Sequence, residues 1–126
     1  MTQNLSDRLL PADYLDMLKA LGESYLKETD PIRQSGFGGG PERWQTEREL
    51  ILDAIDSNGG LLDIGCANGY LLECLINWGK KRNRKLNPFG LDINPELITL
   101  AVERFSDYNN HFWAGNAWDW IPSFYF

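Results

Sequence analysis

An α/β fold built on a parallel sheet is what the sequence predicts, on three observations. Short apolar runs, Leu61-Leu62-Asp63-Ile64, Phe89-Gly90-Leu91-Asp92-Ile93 and Phe112-Trp113-Ala114, alternate with stretches of helical periodicity. Each run opens into a turn residue, Gly65, Asn94 or Gly115, before the next element. Right-handed crossovers between such runs give parallel strands whose carboxyl ends share one rim. The expected form is Rossmann-like and doubly wound, with helices ahead of the first strand.

The elements follow in order. Pro11 fixes φ at a helix start, and Tyr14, Leu18, Leu21 and Tyr25 recur at helical spacing, predicting a helix over about residues 11–28. From Thr29 to Pro41 the density of Gly and Pro predicts a mobile loop, serving as a lid, hinge or linker. That tract follows no strand and lacks the lysine and hydroxyl of a phosphate-binding loop. A second helix is expected over 42–56, with Trp44, Leu50, Ile51, Ala54 and Ile55 as its apolar stripe. A strand over about 60–65 leads through the glycine turn into a helix over about 69–79 that stops at Gly79. The basic run Lys80-Lys81-Arg82-Asn83-Arg84-Lys85 then reads as a solvated loop complementing the helix dipole. After the second strand, Asn94-Pro95-Glu96 supplies an N-cap, a proline at the first helical position and an early acid, for a helix out to about residue 105. The third strand is Phe112–Ala114, preceded by a lone His111 read as structural. Trp118 to Ser123 is turn-like, and Phe124-Tyr125-Phe126 reads as the start of a fourth strand.

Composition bounds the function. The 126 residues suit one globular domain, and a net charge of −6 leans against gripping a phosphate backbone while tolerating a cationic ligand. Cys66 and Cys74 fit no metal spacing and suit a reduced, cytoplasmic setting. No apolar run approaches the roughly 20 residues that span a bilayer.

The chemistry gathers at the strand ends. Gly65 lets backbone approach a ligand, and Gly69 lets a helix begin close to its strand. Asp92, ending strand two, is suited to accept both hydroxyls of a ribose. Asn116 offers an amide oxygen and Ala117 a backbone N–H to the edge of adenine, with Ile93 and Trp118 over its faces. Asp63 repels a pyrophosphate at the glycine turn but welcomes an ammonium or sulfonium. A degenerate dinucleotide fingerprint, Gly65, Gly69 and Asp92, is the neighbouring alternative, and it lacks the third glycine.

The run Asp63-Ile64-Gly65-Cys66-Ala67-Asn68-Gly69, with Asp92-Ile93 and Gly115-Asn116-Ala117, resembles motifs I, II and III of class I S-adenosylmethionine-dependent methyltransferases, in order and spacing. The resemblance covers about residues 42–122 and departs at Ala67, where the family commonly has glycine. It implies the class I methyltransferase fold type, with S-adenosyl-L-methionine as cofactor held by Asp63, Ile64, Gly65, Cys66, Ala67, Asn68, Gly69, Asp92, Ile93, Asn116, Ala117 and Trp118. It also implies methyl transfer, with a small molecule favoured over nucleic acid as acceptor, and names no catalytic base. Residues 1–41 are expected as an N-terminal helix and loop, and 42–126 as a cofactor domain incomplete at its C-terminal end. The alternative is a non-catalytic binding or assembly module whose unpaired sheet edge self-associates.

Overall fold

The computed structural model describes residues 11–122; the expected fourth strand at 124–126 lies outside them. The described chain is an α/β fold with one three-stranded parallel sheet. Helices α1 (Ala12–Leu26), α2 (Pro31–Gln34) and α3 (Gly40–Arg48) precede strand β1 (Gly59–Ile64). Then come α4 (Tyr70–Lys81), β2 (Leu86–Asp92), α5 (Pro95–Arg104) and β3 (Phe112–Ala114). The strand order is β1-β2-β3, with Ile64 opposite Leu91 and Asp92 opposite Ala114. All three carboxyl ends therefore meet at one rim, as the crossover argument requires.

Strand alternation divides the side chains. Leu61 and Leu86 point to the face covered by α4 and α5, where one cluster holds Cys66, Leu72, Ile98, Ala101 and Phe112 and another holds Leu52, Leu75 and Leu86. Leu61 packs against both, so the core runs continuously beneath the two crossover helices. Gly90 is small because the neighbouring side chains need its space. A Cβ there would lie 2.7 Å from both Cys66 Sγ and Phe112 Cδ1.

Four departures from the expected elements have local causes. The Gly- and Pro-rich tract is not one loop, because Asp30 caps α2 with Pro31 at its first turn, and Pro41 sits in the first turn of α3. Proline there removes an N–H that a helix start leaves unpaired anyway. The helix expected over 42–56 changes pitch at Glu49 into a 3-10 helix, Glu49–Ala54. That rotation buries Leu52 at 3% exposure and leaves Leu50 at 63%, reversing the stripe that a 3.6-residue period predicts. Helix α4 passes Gly79, which is buried where a Cβ would press on Leu86 Cδ1 at 3.2 Å. The helix ends instead on Asn83 at φ 60, with Arg84 N–H donating to Gly79 O and Asn83 N–H to Lys80 O, a Schellman cap.

Strand β2 begins three residues earlier than the apolar run implied, and it carries Pro88 inside a central strand. The Pro88 carbonyl lies 2.9 Å from His111 Nδ1, on the side where β3 has not yet begun to pair. The missing N–H of Pro88 points the same way, so no ladder bond is lost. His111 also stacks on Phe89 at 4.1 Å between ring centroids, which gives this histidine a structural place.

Gly90→Ala is expected to lower the unfolding free energy by about 1–3 kcal/mol, because two buried side chains must shift to admit the methyl. Urea denaturation followed by circular dichroism measures it, and an unchanged midpoint would show that the packing at Gly90 has slack.

Candidate functional site

A cleft of about 330 Å³ opens at the rim, between α1 and the carboxyl ends of the strands. Its floor is Ile64, Gly65, Leu91, Asp92 and Ile93, one wall is Gly115 to Trp118, and the other is Tyr14, Leu18, Leu21 and Tyr25 of α1. That volume is at the lower end of the range for small-molecule sites and suits a nucleoside-sized group. Tyr14, Leu21, Ile64, Ile93 and Trp118 remain exposed, so the cleft presents apolar surface that protein atoms leave uncovered.

The glycine turn is tied down by its neighbours. Gly65 and Cys66 both donate N–H bonds to Leu91 O, at 2.7 and 3.0 Å, which carries β1 into the turn alongside β2. Ala67 sits at φ 48, a left-handed conformation usually given to glycine, and its N–H donates to Asp92 Oδ2 at 2.9 Å. Asp92 Oδ1 accepts the Asn94 N–H at 2.9 Å, and Asn94 Oδ1 in turn caps α5 through the N–H groups of Glu96 and Leu97. Each Asp92 oxygen thus takes one backbone N–H and keeps a lone pair for a hydroxyl.

The two turn glycines differ in purpose. Both have positive φ, 83 for Gly65 and 78 for Gly69. A Cβ on Gly65 meets nothing within 4 Å, whereas one on Gly69 would come 3.2 Å from Ala101 Cβ and 3.4 Å from Phe105 Cε2. Gly65 keeps the cleft open; Gly69 lets α4 pack on α5.

The residues named from sequence divide accordingly. Ile64, Gly65, Asp92, Ile93, Asn116, Ala117 and Trp118 come together on the cleft. Cys66, Ala67 and Asn68 are buried behind it with their side chains turned into the fold, and Gly69 is buried with them. Asn68, at 0% exposure, donates through Nδ2 to Pro31 O (3.1 Å) and Gln34 Oε1 (3.0 Å) and accepts the Tyr70 N–H (3.1 Å). It fastens α2 to the turn and offers no side-chain atom to a ligand. Asn116 Oδ1, expected to meet an exocyclic amine, instead accepts the Trp118 N–H at 3.0 Å and shapes the turn. The Ala117 N–H makes no hydrogen bond to a described residue, and Ala117 lines the cleft.

Sequence reasoning that places the site on the sheet alone misses the α1 wall. Its signal is the stripe Tyr14, Leu18, Leu21 and Tyr25, which periodicity by itself cannot distinguish from ordinary packing. Gly22 lets α1 lie directly on the Asn94 side chain, where any Cβ would clash, and this brings the stripe over the strand ends.

Asp63 lies one residue before Ile64 and so points to the opposite face of β1. Its carboxylate makes no hydrogen bond and no ion pair with a described residue. Burial of the carboxylate, helped by the negative charge of Asp92 and opposed by Arg48, pushes its pKa from the usual 3.8 up to about 6. Burial, with Asp63 and Asp92 nearby, also pushes the Cys66 thiol up, which keeps it protonated and unreactive. No group of three or more His, Cys, Asp or Glu suited to a metal occurs among the described residues. Among them, too, no helix is long and apolar enough to cross a membrane.

Comparison with known proteins gives no match to a family model, a curated protein or a solved structure. The functional reading therefore rests on the geometry of the site.

Two outcomes are expected. Gly69→Ala combines backbone strain with crowding and should cost about 2–4 kcal/mol of stability, whereas Gly65→Ala carries strain alone and should cost about 1–2 kcal/mol; chemical denaturation of both variants checks the order. Asp63 binds its proton in the folded state at a pH where the unfolded chain has released it. Stability should then fall as pH rises from about 4 to 6, by up to about 2–3 kcal/mol. Asp63→Asn should remove that fall, and parallel pH profiles for the two proteins would refute a strained carboxylate.

Proposed function

We propose that this chain binds S-adenosyl-L-methionine in the rim cleft and belongs to a methyltransferase acting on a small-molecule acceptor, on a Rossmann-like sheet of the class I methyltransferase type. The observation that carries the reading is the convergence of three separate strand ends, Gly65, Asp92 and Asn116 to Trp118, on one cleft. Asp92 suits a ribose because its carboxylate is fixed by two backbone N–H groups and retains an acceptor on each oxygen. The free Ala117 N–H suits a ring nitrogen of adenine. Ile93 and Trp118, the latter 66% exposed, suit its faces together with the aromatic wall of α1. A Cβ on Gly65 would meet nothing within 4 Å, which leaves room for a ligand over the turn, and the negative charge of nearby Asp63 favours a cationic tail over a pyrophosphate.

The cofactor supplies an activated methyl group when bound. The chain's own contribution is to hold it, orient it and exclude water by closing α1 over the strand ends, which is the proximity part of catalysis. Asp63 is set to stabilise positive charge beside the turn, and it does so only when ionised.

Isothermal titration calorimetry tests the reading. S-adenosylmethionine is expected to bind, with Trp118→Ala weakening it roughly tenfold, a loss of about 1.4 kcal/mol. Affinity should also fall as pH drops below about 6, where Asp63 gains its proton. No heat of binding at millimolar cofactor, or binding of a nicotinamide dinucleotide in its place, would reject the proposal.

A second reading, self-association, is favoured by β1, which pairs with a strand on one side only among the described residues. Light scattering that reports a monomer at every concentration tested would remove it.

A further inference from the structure

A second cavity, of about 680 Å³, lies at the opposite end of the sheet from the rim. Its base is the start of β2, at Leu86 and Asn87, whereas the rim cleft is built on Asp92 at the other end of the same strand. At about 3.3 Å per residue the two ends stand roughly 16 Å apart. The two cavities have no lining residue in common.

One wall is a single face of α4, where Glu73, Ile76, Asn77 and Lys80 recur at the spacing that sets helical side chains in a row. The other wall is Phe105, directly after α5, with Tyr108 in the 3-10 segment Ser106–His111. Both rings are held by the protein's own rings. Phe105 stacks on Phe112 at 5.4 Å between centroids, and Tyr108 tilts against His111 at 5.2 Å.

The polar groups of this cavity are unevenly used. Glu73, the single acid that lines it, is paired with Arg104 at 3.3 Å. The ammonium groups of Lys80 and Lys85 make no ion pair or hydrogen bond with a described residue, and neither do the side-chain amides of Asn77 and Asn87. Lys80 sits in the last turn of α4, where it complements the helix dipole. Lys85 lies beyond the helix, and that explanation does not reach it. Two cations and two primary amides without a protein partner therefore border a pocket whose apolar lining includes Ile76, Leu86, Phe105 and Tyr108. Apolar walls with a few convergent polar groups are the composition of a small-molecule site, and the volume is within the usual range.

We propose that this cavity is a second ligand site, which takes a small aromatic anion between α4 and the Phe105–Tyr108 wall, with its acidic head on Lys80, Lys85 and the two asparagine amides. A cationic ligand would meet two ammonium groups, and a neutral one would leave them as they are. Reacting atoms must approach to about 3–3.5 Å, so a molecule bound here is not the one that reacts at the rim. The site is independent of the adenosyl reading, and its occupant stabilises the folded chain by mass action. A carboxylate and a phosphate share the required chemistry.

Nuclear magnetic resonance titration of the full chain tests the site, with 2-naphthoate, 2-naphthamide and 2-naphthyl phosphate as probes. 2-Naphthoate is expected to bind with a dissociation constant of about 1 mM or tighter, as its size allows. It should shift the side-chain amide signals of Asn77 and Asn87 and leave those of Gly115 to Trp118 unmoved. 2-Naphthamide has the same shape without the charge and should bind about tenfold or more weakly, the usual effect of losing a charged hydrogen bond. Lys80→Met combined with Lys85→Met should bring 2-naphthoate down to the affinity of 2-naphthamide. Both lysines are exposed, and if the double variant does not fold, the two probes on wild type decide the question. Tighter binding of 2-naphthyl phosphate at the same signals assigns the head as a phosphate, and weaker binding assigns it as a carboxylate. No saturable shift at Asn77 or Asn87 with any probe, equal affinity for the charged and neutral probes, or shifts confined to the rim cleft overturns the proposal. None of these outcomes bears on the adenosyl reading.

Discussion

The Asp92 carboxylate sets the geometry on which the rest of the site depends. One oxygen accepts the Ala67 N–H and the other the Asn94 N–H, each at 2.9 Å, so the glycine turn after β1 and the start of α5 after β2 are fixed to a single group. The bond to Ala67 also helps hold a non-glycine residue at φ 48, a conformation that alone costs roughly 1–2 kcal/mol. Any ligand that uses Asp92 therefore meets a carboxylate already oriented by the backbone, and little reorganisation is left for binding.

Asn68 plays the matching part toward the N-terminal segment. Its amide group bonds Pro31 and Gln34 on α2, its Oδ1 bonds the Tyr70 N–H, and its backbone carbonyl accepts Arg104 Nε at 3.1 Å. The turn is thereby joined at once to the preceding helices, to α4 and to α5. The same connections position the glycine-rich tract next to Arg48 and, through Gly22 on Asn94, lower α1 over the cleft. The segment that reads as a plain N-terminal helix in the sequence becomes one wall of the cleft.

Charge is divided between the site and the scaffold. Asp63 and Asp92 stand near each other at one turn, and burial together with the charge of Asp92 raises the pKa of Asp63. The basic run after α4 serves the fold: Lys80 and Lys81 lie in the last helical turn, and Arg82 reaches Asp53 and Glu49 on the 3-10 segment. It thereby braces the segment that precedes β1 against the helix that follows it.

The sequence by itself determined the parallel α/β order, the third strand to the residue, the Asn94 cap, and which three strand ends carry polar or glycine chemistry. These features are local: they follow from hydrophobic period, proline and glycine geometry and capping, each written within a few residues. Only the tertiary structure decided that Leu52 and not Leu50 is buried, that Asn68 and Cys66 face inward, that Asn116 bonds its own turn, and that α1 walls the cleft. Those outcomes depend on a change of helical pitch, on hydrogen bonds across 34 to 37 residues and on a helix docking through Gly22. No periodicity encodes them, because the competing partners for the same groups become neighbours only when the chain has folded.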